Sequence, residues 1–422
     1  MSQAESTAGT EKNTGSSIEA GENKTGSGRL LLVAYELSDM PEIPQLWEKI
    51  AAAVGFEKDE VVLTVTHNHS SPNDSKIRAT EEETALGERY KEIELSAGIT
   101  ACREAVSSLR PARYAYTEGQ SFINVNRNYC SLAGEWLEAP NFAGFSDKTL
   151  AVFSFVDEEG KLIAAFLNHA THATNIFQQR DADGKTKLSG NFPGITCRFL
   201  EEYYGNGSVV MWTSGAAGNQ NPFLVHGMLM EYSDGYCTEV AYPDGAGYQQ
   251  MESIGRRHAA DAVRTLNQIR DYSDKMELCH VKKQIDIPAQ KRDDPLFTGP
   301  AVKPNIGYRK AGDQYRPPVY PKMADDPEHP VPLYMELLIL GDTAIVCVGA
   351  ELFAQLGQKI KEASPWKHTV VLTHTHYHIG YILDESSKDV RAQQSFGRIK
   401  PGAADELILE GVQEMFAEVK IL

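Results

Sequence analysis

Apolar, β-branched runs recur along the chain, and four of them end in metal-ligating residues. VVLTVTHNH ends in His67 and His69, LIAAFLNHATH in His169 and His172, TVVLTHTHYH in His374, His376 and His378, and AIVCVGAE in Glu351. Short runs of this composition predict strands, because branched side chains fit a pleated, buried surface. A strand that stops at an imidazole or carboxylate delivers a stiffly held ligand to the sheet edge, where α/β folds gather their sites. Several such ends converging predict a pocket for a divalent metal, most naturally Zn2+.

The segments between these runs alternate in kind. RLLLVAYELSD predicts a strand and PEIPQLWEKIAAAVGF a helix bracketed by prolines and Gly55; with the strand that reaches His67 they make a βαβ unit. Helical periodicity covers Tyr90 to Leu109, Pro193 to Tyr204, Tyr248 to Ile269, Leu352 to Ala363 and Ala404 to Glu418. VFSFVDEEGKLIAAFLNH and LYMELLILGDTAIVCVGAE predict hairpins, the second turning at Gly341 and Asp342. SVVMWTSGAAGNQNPF is a strand that breaks into a glycine-rich turn, suited to close approach of backbone to a ligand. Half of the 20 prolines lie between Pro288 and Pro332, which excludes a helix or central strand and predicts an extended excursion, a rim or lid. With no internal repeat and no linker, the expected fold is α/β: one large domain over residues 29–422, a mixed β-sheet flanked by helices, with the metal site at strand ends.

Composition narrows the function classes. The 422 residues are 41% apolar, enough for a sizeable core, and the net charge of −17 with no basic block disfavours nucleic acid and anionic membrane surfaces. Residues 1–28 carry almost nothing apolar to bury, so a disordered tail is expected, and they lack the apolar core of a secretory signal. No run approaches the roughly 18 apolar residues of a membrane span. The six cysteines form no CxxC pair and several sit in apolar runs, which predicts free thiols and a reducing, cytoplasmic compartment. Oligomeric state is not legible.

Each candidate residue has a structural alternative. His67 and His69, two apart on a strand, would share a face; a solvated pair in a turn has the same spacing. His169 directly follows its apolar run and is the better ligand, leaving His172 to packing or a hydrogen bond. The three alternating histidines of HTHYH could bind a metal or orient the ligands of one, and the second is favoured. Glu351 either binds a cation or caps the following helix. Tyr381 could ligate or stabilise an oxyanion, and Arg127 could anchor a substrate oxygen, though filler and surface pairing are the commoner fates of those residue types.

Taken together, the segments resemble the catalytic domain of the neutral, non-lysosomal ceramidases from about Leu30 to the C-terminus. THNHSSP resembles the family's THTHSGP, NVNRNY its arginine motif, NHATH its HPT-type histidine, GAAGNQNP its glycine-rich turn, VGAELF its PGE-F segment and GYILDE its tyrosine motif. The resemblance implies zinc held by His67, His169, Glu351 and Tyr381, with His69 and Arg127 positioning the substrate, and zinc-activated water cleaving an amide bond of an N-acyl compound, soluble or lipid-like. The chain departs from the family at Asn219 and Asn191, where aspartate is usual, and at Asn221, where ceramidases carry serine. These departures point away from ceramide itself. They also define an alternative, a degenerate member that binds metal or ligand without turnover. The surplus histidines define another, a binuclear metallo-esterase or lactonase using His172, His374, His376 and His378.

Overall fold

Two four-stranded sheets of the same strand order form the centre of the protein. They are seen in a computed structural model that describes residues 28–72, 80–176, 180–224, 227–231, 237–241, 243–293 and 320–420. In the first sheet, Arg113–Gln120, Thr149–Val156 and Leu162–His169 alternate in direction, and Val209–Ser214 lies parallel to the last of them. In the second, Leu278–Ile287, Val331–Leu340 and Thr343–Val348 alternate in the same way, and His368–Thr373 lies parallel to the last. The six α-helices among the described residues are α1 (Leu46–Val54), α2 (Glu81–Ser107), α3 (Asn191–Tyr204), α4 (Ala246–Leu266), α5 (Ala354–Ala363) and α6 (Asp405–Lys420). Parallel neighbours need a crossover, and α3 supplies it in the first sheet and α5 in the second.

The period of two along each strand assigns its residues to layers. Leu150 and Val152 pack against Leu200 of α3 and Ile254 of α4, whereas Ala151 and Phe153 point the other way and meet Leu338, Ile345 and Cys347 of the second sheet. Leu333, Met335 and Leu337 face Leu356 of α5 and Ile408 and Val412 of α6. The order is therefore helices, sheet, sheet, helices. Strands buried on both faces read as continuous apolar runs, which is why their sequence pattern was strong.

This corrects the expectation of one mixed sheet. Two sheets repeat a topology with no repeated sequence, and hydrophobic periodicity carries no record of which strands pair. The βαβ unit is as expected: Leu31–Tyr35 pairs in parallel with Val61–Val65, and α1 ends at Gly55 in the left-handed region, φ 72°. Helix α2 starts at Glu81, nine residues before the predicted Tyr90, after Thr80, whose side chain accepts from Glu83 N–H while the Glu83 carboxylate accepts from Thr80 N–H. Of the proline-rich excursion, Gln290–Arg292 pairs antiparallel with Met323–Asp325, while 294–319 fall outside the described residues, as does the polar tail up to residue 27. Of the described cysteines, Cys102 and Cys347 are free and buried and Cys130 is free and exposed. No described helix is long and apolar enough to cross a membrane.

Candidate metal centre

The chain reaches its candidate site just past the strand ends. His172 and Glu351 each lie three residues beyond the third strand of their sheet, and His67 two beyond Val65. The two parallel strands meet here as well, Thr373 Oγ1 donating to Ser214 O at 3.2 Å and Gly215 O at 2.6 Å. Leaving the strand requires unusual backbone: His67, His374 and His376 have φ of 56°, 57° and 56°. For non-glycine residues that conformation costs on the order of 1–3 kcal/mol each, and such strain concentrates at functional sites.

The hydrogen bonds fix which nitrogen of each ring faces inward. His67 Nδ1 lies 2.6 Å from Ser38 O, and His172 Nδ1 lies 2.7 Å from Ala217 O and 3.1 Å from Gln220 O. A carbonyl only accepts, so both Nδ1 atoms carry a proton, and Nε2 is the atom each ring turns to the site. The two Nε2 atoms converge on Glu351 Oε2, 3.2 Å from His67 and 3.1 Å from His172, in a buried pocket. His69 adds its Nε2 at 3.2 Å from His67 Nε2, and the three histidines offer nitrogens all within 4.8 Å of one another.

Such a set suits a cation. Burial pushes His172 down to about 4 and holds His69 well below the usual histidine range, which keeps both imidazoles neutral and able to ligate at neutral pH. Burial alone would raise Glu351, but the neighbouring His67 and His172 outweigh it and keep the carboxyl well below its usual range. Two imidazole nitrogens and a carboxylate oxygen, each held by the protein, are a donor set that fits a divalent metal.

Tyr381 stands in register with Glu351 on a short parallel pair, and its ring lies 6.4 Å from that of His172, nearly parallel. Burial first, then the Glu351 carboxylate, push its phenol far above the ordinary tyrosine range, so it carries its proton. Arg127, on the strand Asn124–Cys130, donates from Nη2 to the Tyr381 hydroxyl at 3.1 Å.

The structure thus brings together His67, His69, Glu351, Tyr381 and Arg127, and it does not bring His169. Alternation puts His169 on the same face as Leu167, toward the helices: its Nδ1 donates to Thr149 O at 2.7 Å and its ring lies 5.0 Å from His258 of α4. His172, expected to be structural, takes that place. The histidines of HTHYH also separate. His374 stacks on His67 with ring centroids 4.1 Å apart, and His378 Nε2 bonds Asp39 Oδ1 at 2.6 Å. His376 turns away, between Trp47 and Tyr334, with Nε2 3.4 Å from Glu336.

The three asparagines are tied into the scaffold. Asn191 donates to Ser70 Oγ and Ala173 O, both at 3.1 Å, clipping α3 to the His69 loop. Asn219 accepts from Ala354 N–H at the start of α5 at 3.0 Å and donates to Gln355 Oε1 at 2.7 Å. Asn221 donates to Glu138 Oε1 at 3.0 Å. Because Asn219 is turned to α5, Asn219→Asp is expected to give no gain in turnover in an amide-hydrolysis assay; a gain would mean that the missing carboxylate matters.

The glycine-rich turn serves close packing. A Cβ on Gly218 would sit 2.5 Å from Glu351 O and 2.9 Å from the Phe353 ring. Gly218→Ala is therefore expected to cost about 1–3 kcal/mol of stability and to weaken metal binding about 10–100-fold by shifting Glu351. Thermal melting and competition with a chelator read the two effects.

Fold and site together define a layered α/β protein with a buried histidine–carboxylate cluster able to hold a metal. No family model matches the chain. Over 177 residues it is 28% identical to a neutral ceramidase of Pseudomonas aeruginosa, covering 40% of this chain and 25% of that protein. Over 273 residues it is 26% identical to a neutral ceramidase of Drosophila pseudoobscura pseudoobscura, covering 59% of this chain and 38% of that protein. Among solved structures, a ceramidase complexed with C2 superposes with a TM-score of 0.67 at 17% identity, over 95% of this chain and 69% of that one. The crystal structure of neutral ceramidase from Pseudomonas aeruginosa gives 0.62 at 18%, over 91% and 66%. By sequence and fold the chain is similar to the neutral ceramidases, although the matched stretches span well under half of the curated relatives.

Proposed function

We propose that this protein is a zinc-dependent hydrolase that cleaves the amide bond of an N-acyl compound. One observation carries the proposal: with Nδ1 of each ring held by a backbone carbonyl, the Nε2 atoms of His67 and His172 close together on one oxygen of the buried Glu351 carboxylate. Those three residues would hold the ion, and Tyr381 would complete the set. A zinc ion bound there supplies a Lewis acid for the acyl carbonyl and a water acidic enough to attack near neutral pH. The backbone carbonyls of Ser38 and Ala217 fix the ring orientations beforehand, so no reorganisation is needed on binding.

His69, partly exposed where His67 and His172 are buried, is placed to meet the substrate, and its neutral imidazole can hydrogen-bond an amide or a hydroxyl. The buried Tyr381 hydroxyl, which keeps its proton beside Glu351, can bond a developing oxyanion. The likeness to neutral ceramidases supports an N-acyl substrate. Metal analysis of the purified chain, followed by a panel of N-acyl amides, esters and phosphate esters, tests the proposal. About one zinc per chain and hydrolysis confined to amides are expected; no metal, or phosphatase activity alone, would overturn it.

A further inference from the structure

We propose that Glu138, with Asn221, makes Arg127 a positioning residue for Tyr381, so that the guanidinium orients the phenol and does not bind substrate. The inference rests on the hydrolase function proposed above and deepens it, for nothing in the sequence pointed to Glu138. Arg127 is 4% exposed, and a guanidinium has five N–H donors in a fixed fork. Gly218 O accepts from Nε at 3.2 Å and from Nη2 at 2.7 Å. The second Nη2 donor goes to the Tyr381 hydroxyl at 3.1 Å. Nη1 donates to Glu138 Oε1 at 3.1 Å and to Asn221 Oδ1 at 3.4 Å. With its amide oxygen turned inward, Gln394 lies 3.1 and 3.3 Å from Nε and Nη2 and shares those donors. Five donors thus have five acceptors from the protein, and a substrate oxygen would have to displace one of them.

The same contacts explain why the fork does not rotate. Gly218 belongs to the turn that abuts Glu351, and Asn221 amide N–H also donates to Glu138 Oε1 at 3.0 Å, so Glu138 is fastened from two sides. Its carboxylate is the charge that balances a buried guanidinium; without it the arginine is left with neutral acceptors and the metal-centre carboxylate. The Tyr381 hydroxyl, receiving an N–H from Arg127, keeps its own proton directed elsewhere, and the ring lies 5.5 Å below the guanidinium.

The competing role makes the opposite kinetic forecast. If Arg127 gripped substrate, removing its protein acceptors would free donors and lower KM. If it positions Tyr381, Glu138→Ala lowers kcat about 10–100-fold and leaves KM within about twofold, while Glu138→Gln, which keeps an acceptor oxygen, recovers most of the loss. A readout independent of turnover is the visible absorption of the Co(II)-substituted full chain. Glu138→Ala should shift the bands in the same direction as Tyr381→Phe. A lower KM in Glu138→Ala, or a wild-type Co(II) spectrum and kcat, overturns the proposal. Should the wild type cleave no N-acyl amide, a matching shift in the two spectra still supports the positioning role while the hydrolase proposal falls. Should Glu138→Ala not fold, Asn221→Ala removes the second Nη1 acceptor and gives the same two readouts.

Discussion

His172→Ala should remove the bound metal and lower amide turnover by at least about a thousandfold, roughly 4 kcal/mol of barrier, whereas His169→Ala should keep the metal. The contrast follows from where each ring points. His172 Nε2 faces Glu351 Oε2 at 3.1 Å, with its other nitrogen anchored on a carbonyl, so its loss leaves the carboxylate with one imidazole partner. His169 is as fully buried but packs beside His258 on the helix side of its sheet. Truncating it leaves a cavity and costs about 1–3 kcal/mol of stability, without touching the donor set. Metal content by mass spectrometry and turnover of a short-chain N-acyl amide check both variants. Metal retained by His172→Ala, or lost by His169→Ala, would reverse the assignment.

The second large effect concerns stability. His67, His172 and Glu351 lie far apart in sequence and are brought together only by the fold, so the metal binds the folded chain far better than the unfolded one. At a free zinc concentration a thousandfold above Kd, the folded state should gain about 4 kcal/mol, lost again on chelation. Glu351→Gln removes the anionic ligand and the carboxylate's contacts with His67 and His172, so the metal-free variant should melt below metal-free wild type by about 1–3 kcal/mol and gain nothing from zinc. Thermal melts of both proteins with zinc and with chelator check this. Equal responses of the two would show that Glu351 is a helix cap with no part in metal binding.

Much of this site was legible in the sequence, for a definite reason. Apolar runs buried on both faces mark strands, and chemistry placed at their ends survives almost any error in how the strands pair. His67, Glu351, Tyr381 and Arg127 were singled out that way, or through the motifs that resemble neutral ceramidases, and the structure brings them close together. His169 was taken for the ligand because the last residue of a strand was taken to point into the site; the structure turns its ring toward the helices beside His258, and the chain runs three residues further before His172 reaches Glu351. Glu351 has the same offset from its own strand, so the comparison of LNHATH with CVGAE held the signal. The doubling of the sheet was hidden because pairing is decided by tertiary packing. The strand Trp136–Asn141 was missed because it is short, carries Pro140 and lies between turns, and with it went Glu138. The start of α2 was written plainly in Thr80 and Glu83 and overlooked for want of an apolar face beside them.

Anomalous diffraction at the zinc edge, from crystals of the full chain grown with zinc, tests the central claim most directly. One strong peak bounded by His67 Nε2, His172 Nε2 and Glu351 Oε2 is the predicted result. A map with no peak there, or with its peak beside His169, would contradict it.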